Sequence, residues 1–179
     1  MGRERCEGGR CEEVVAAYYM AYYLNRERRK DVAGAYKRYQ AYLQQHKESF
    51  PPGAFALATA SWYQDANDHR CPHDSRLESL IISEMADPSD AQRRVTTFRV
   101  RLSGPYCDGY IELFYPRVFG YELHSFSCTK GLGDWRYDEF TLSPSGDLVH
   151  EIEWAGFPDV EGSRWVIKAS DIEFLWIPK

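Results

Sequence analysis

The chain has 179 residues, a hydrophobic share of 44% and an aromatic share of 15%, which describe a packed globule and exclude global disorder. Its net charge of −5 is unevenly spread: residues 1–50 carry ten Lys/Arg against seven Asp/Glu, so the rest of the chain holds −8. That balance disfavours a phosphate backbone as partner and favours a basic protein, although −8 also serves as ordinary solubility charge.

Residues 1–11 are charged and Gly-bearing, and are expected to be poorly ordered. They lack the apolar core and cleavage site of a signal peptide. Five cysteines (6, 11, 71, 107, 128) are an odd number without framework spacing, which points to reduced thiols in a cytoplasmic protein. From Glu12 a helix is predicted, with Tyr18, Tyr19, Tyr22 and Tyr23 covering two adjoining faces. Its apolar run, Val14 to Leu24, falls short of the ~18 residues needed to span a membrane. After the charged stretch Asn25–Lys30, Asp31 caps a second helix over 32–47, with Val32, Tyr36, Tyr39 and Leu43 on one apolar face. Together they read as a helical hairpin or one long helix over 12–50, ended by Pro51-Pro52-Gly53.

Ala54 to Tyr63 reads as a short helix or turn, and Gln64 to Ser75 as a polar loop. Seven or eight strands follow within 73–177: Leu77–Ile82, Val95–Leu102, Tyr110–Phe114, Tyr121–Phe126, Trp135–Leu142, Leu148–Trp154 and Trp165–Trp176. A polar loop over Met85–Gln92 separates the first two. The close spacing of Gly, Pro, Asp and Ser turns calls for antiparallel pairing, not strand–helix–strand units. The expected fold is therefore one α+β domain over 1–179: a helical hairpin packed with a mainly antiparallel sheet of seven or eight strands, or a partly closed barrel.

Reactive side chains are densest at Asp65, Asp68, His69, Cys71, His73 and Asp74. In an extended segment His69, Cys71 and His73 point the same way, and Asp74 would complete a metal site for a hydrolase. Zinc ligands usually come as two separated pairs, and His124, Cys128 and His150 supply no second pair. The commoner role of such a loop is side-chain-to-backbone hydrogen bonding where a strand begins. Gly131-Leu132-Gly133-Asp134 precedes a strand, so it reads as a hairpin connection and not a phosphate loop. Asp138-Glu139, Glu151 with Glu153, and Asp171 with Glu173 are paired acids. Glycosidase chemistry needs carboxyls facing across a sugar, so a solvated acidic face is the simpler reading. No cofactor is called for.

The β-region resembles small bacterial immunity proteins of polymorphic and contact-dependent toxin systems. The likeness lies in His73-Asp74 opening an alternating strand, the longer strand Arg93–Leu102, the hairpin segments Asp108–Phe114 and Tyr137–Phe140, and the closing strand Ile167–Phe174. It is one of pattern, covers 73–177, and leaves out the Tyr-rich helices. It implies a non-enzymatic inhibitor that occludes the active site of a cognate toxin. On that reading the partner is a basic toxin domain, not nucleic acid or membrane. Glu151, Glu153, Asp171 and Glu173 supply charge, and Trp154 and Trp176 aromatic anchors. The alternatives are the metal-assisted hydrolase at His69, Cys71, His73 and Asp74, and an oligomer assembled through the Tyr-rich helices.

Overall fold

The computed structural model describes residues 30–125, 131–156 and 162–179. The predicted helix at 12–24, the first arm of the expected hairpin, lies outside the described residues, as do Cys6, Cys11 and Cys128.

Two helices, α1 (Val32–Gln45) and α2 (Pro52–Ala58), and 3-10 turns at Lys47–Ser49 and Ser61–Gln64 precede seven strands. These are β1 (Arg76–Asp87), β2 (Asp90–Ser103), β3 (Gly109–His124), β4 (Trp135–Leu142), β5 (Leu148–Trp154), β6 (Arg164–Ala169) and β7 (Glu173–Pro178). All pair antiparallel in one sheet, in the order β1-β2-β3-β6-β5-β4, with β7 also on β3. The architecture is α+β, and the sheet is not a closed barrel. Its edge strands meet at an isolated bridge between Arg76 and Asp134, beside hydrogen bonds from Asp74 N to Trp135 O and from Trp135 N to Ser75 O.

Asp31 caps α1 as expected, its Oδ1 accepting from Gly34 N at 3.0 Å. The buried stripe is Ala35, Tyr39 and Leu43, whereas Val32 and Tyr36 are 57% and 38% exposed. The expected apolar face is therefore rotated: the i, i+4, i+8 row faces the sheet, and Ala35 lets α1 approach it closely.

The predicted loop at Met85–Gln92 is mostly strand. Asp87 tightens the turn by accepting from Ser89 N (2.9 Å) and Ser89 Oγ (2.6 Å), so β1 and β2 run almost to Pro88. The two short strands expected around 110–114 and 121–126 are one strand, β3, despite Pro116. Proline cannot donate to a ladder. Here it falls where β7 has ended opposite Phe114 and β6 begins opposite Val118, and where the β2 register also shifts between Thr96 and Phe98. The missing N–H therefore costs no ladder bond. Across from it the predicted strand 165–176 is interrupted at Asp171.

Inward-facing positions alternate along every central strand: Phe98, Val100 and Leu102; Ile111, Leu113 and Tyr115; Leu148, His150 and Ile152. With Tyr39, Leu43 and Tyr63 from the helical layer they form the core, each large apolar side chain contributing roughly 1.5–3 kcal/mol.

Candidate functional site

The loop before β1 was the first candidate, and its reactive groups turn to different partners. Asp68 grips Arg70, accepting from its backbone N at 3.0 Å and its side chain at 2.9 and 2.8 Å. His69 Nδ1 lies 2.5 Å from Asp108 Oδ2, and its ring stacks on Tyr106. Cys71 Sγ donates to Tyr63 O at 3.1 Å, and burial pushes its thiol up to about 11. His73 Nδ1 is 3.3 Å from Asp74 Oδ2, and Asp74 also pairs with Arg136. Among the described residues no group of three or more His, Cys, Asp or Glu is placed to hold a metal ion. A neutral buried thiol is also a poor nucleophile and a poor metal ligand.

Behind this loop is a polar network that sequence reasoning missed. Asp138 points into the core from β4, where Trp135 Nε1 donates to its Oδ1 at 3.0 Å. Its Oδ2 accepts from Tyr63 Oη at 2.9 Å and contacts His150 Nε2 at 3.0 Å. Tyr115 Oη meets His150 Nδ1 at 2.8 Å. Indole N–H can only donate, so the carboxyl acts as acceptor, and Nε2 is assigned as a donor to it. Burial first, and then the charge of Asp138, raises the Tyr63 and Tyr115 hydroxyls well above their usual range, so both remain donors. His150 is fully buried, and both of its ring nitrogens have partners within this core network. A cavity of about 60 Å³ between Cys71, His73, Tyr63 and Asp138 reaches its edge. This exceeds the roughly 10–15 Å³ needed to admit a water.

The acids and tryptophans expected to form a partner surface are also dispersed. Asp171 sits in the interruption between β6 and β7, where its carboxylate accepts from Gly53 N (3.1 Å) and Ala54 N (2.9 Å). It caps α2 from across the fold, so it does not share a face with Glu173. Glu151 Oε1 lies 2.5 Å from Arg164 Nε. Glu153 stands opposite Tyr137 and Arg164 on the same outer face, and Glu173 is exposed on β7. Trp154 is 2% exposed between Trp135 and Trp165, which corrects its reading as a surface anchor. Trp176 packs on the core over Gly109, where an added Cβ would come within 2.3 Å of the ring.

The two sheet edges differ. β4 is covered by α1: Tyr39 Oη accepts from Phe140 N at 2.8 Å and donates to Phe140 O at 3.3 Å, and Tyr42 Oη accepts from Leu142 N at 2.8 Å. Tyrosine hydroxyls thus stand in for a missing strand. These two rings are turned inward, away from the oligomer surface expected of the Tyr-rich helices. Among the described residues β1, beyond the bridge at Arg76, has no strand or helix paired to its outer side. Along it Ile81, Ile82 and Met85 are 52%, 43% and 53% exposed. Ile82 is in register with the buried Phe98, whose ring contacts Tyr121 on β3. A long, apolar, unprotected edge is a template for another strand.

Comparison of the chain with protein-family models, with curated proteins and with solved structures finds no match. The β1 edge was partly legible in the sequence, as Leu80-Ile81-Ile82 inside an alternating segment. That it is an edge follows only from the strand order.

Proposed function

We propose that this chain is a non-enzymatic protein-binding module, an inhibitor of the immunity type, that docks an extended segment of a protein partner along β1. The observation that carries the reading is the contrast between a β4 edge sealed by Tyr39 and Tyr42 and a β1 edge left open with Ile81, Ile82 and Met85 exposed. Backbone pairing would supply affinity and the apolar side chains specificity. Glu84 on β1, within a region of net −8, favours a basic partner such as a toxin domain. The dispersed hydrogen bonding of His69, Cys71, His73 and Asp74 weighs against the hydrolase.

Photo-crosslinking residues placed at Ser83 on β1 and at Glu173 on β7, in the native host, test this. Capture of a protein from Ser83, with loss of that protein's activity when the purified wild-type chain is added, supports the inhibitor at β1. Capture from Glu173 alone contradicts the β1 surface, and a captured partner left fully active contradicts inhibition.

A further inference from the structure

We propose that in the free protein the β1 edge is occupied by β1 of a second copy, in a two-fold dimer whose ladder is centred on Ile81. The inference rests on β1 being a docking edge and names its occupant when no other partner is present.

A two-fold interface must be self-complementary, with each residue meeting the same set on the other copy that meets it. For antiparallel strands in one continuous sheet, the axis stands normal to the sheet and passes through a pair of identical residues. Between register shifts at Leu77/Ser79 and Ala86/Asp87, β1 is regular over residues 79–86. About Ile81 this segment is close to a palindrome in residue type: Ile81 faces Ile81, Leu80 faces Ile82, and Ser79 faces Ser83. Ile81 lies on the outer face, and Leu80 and Ile82 on the inner face with Val100 and Phe98, so apolar pairs form on both faces.

Neighbouring registers lose this match. An axis through Ile82 sets Leu80 against Glu84, and one through Leu80 sets Ile82 against Glu78. In the Ile81 register Glu84 falls opposite Glu78. Glu78 sits in the register shift, where Arg101 Nε lies 2.6 Å from its Oε2, so its charge is already compensated. The resulting sheet runs through both copies from one tyrosine-covered β4 edge to the other.

The test combines light scattering over a concentration series with disulfide trapping in the full chain carrying Cys107→Ser, which removes an exposed native thiol. Facing residues across the axis have Cα atoms about 4.5–5.5 Å apart, within disulfide reach. Ile81→Cys is expected to give a covalent dimer under mild oxidation. Ser79→Cys is expected to link only when mixed with Ser83→Cys, and Ile81→Lys to remain monomeric with an unchanged near-ultraviolet circular dichroism spectrum. A wild-type chain that stays monomeric throughout would overturn the inference. So would a dimer that survives Ile81→Lys, or one in which Ile81→Cys does not link. A monomer that still crosslinks a host protein through Ser83 would overturn self-pairing and leave the docking edge standing. An edge that takes neither would overturn both.

Discussion

Asp138 turns into the core because β4 alternates, and its carboxyl is tolerated there because three donors converge on it. Asp138→Asn puts an NH₂ group where one of those donors must bond. Breaking such a buried set costs about 3 kcal/mol, expected as a lower urea midpoint at an unchanged m-value. Asp171→Ala removes the cap of α2 and is expected to cost about 1 kcal/mol in the same assay, without changing capture of a partner through Ser83. Had Asp171 belonged to a docking face, capture would weaken too. The pH dependence has two arms. Hydrogen bonds from Arg70 hold Asp68 at about 2, and those from Ser89, with Arg117 beside it, hold Asp87 at about 2, against an ordinary 3.8. Depressed carboxyls stabilise the fold above their unfolded value, so that contribution is whole above about pH 4 and is lost as pH falls toward 2. Cys71 acts oppositely. Its neutral thiol is favoured in the fold, so its contribution holds below an ordinary 9.0 and is lost as pH rises toward about 11. Thermal unfolding across pH 2–11 measures both arms. Stability that is flat between pH 4 and 2 would contradict the carboxylate assignments.

Helices and strands were legible to the extent that one element's own pattern decides them. Asp31, Pro51-Pro52-Gly53 and the alternation along β2, β4 and β5 mark their elements from sequence alone. What was not legible depended on neighbours. Pro116 breaks β3 on paper, and only the coincident gap between β6 and β7 shows why the strand passes through it. Asp171 reads as a strand carboxylate until α2 is brought against it. Tyr39 and Tyr42 read as one helix's aromatic face, yet their hydroxyls finish the edge of β4. Tyr39→Phe leaves Phe140 N buried without its acceptor, at a cost of roughly 1–3 kcal/mol. Tyr42→Phe acts on the half-buried Leu142 site and is expected to cost less. Equal and negligible losses in chemical denaturation would contradict the edge-covering role.

For the molecule as a whole, an antiparallel sheet with a helical layer could be read from strand spacing. Strand order could not, because every adjacent pair had a turn compatible with a hairpin. That order decides which edges a partner could reach, since it puts β1 and β4 at the two ends of the strand path, while Trp154 on β5 is buried between Trp135 and Trp165. The most direct measurement is amide hydrogen exchange, resolved by residue, on dilute free protein. Phe140 and Leu142 on β4 are expected to exchange slowly despite lying at an edge, while the outward-directed amides between Ser79 and Ala86 exchange fast and slow down as concentration rises. Protection of β1 equal to that of β4 at every concentration would mean its edge is already covered, and would contradict the account.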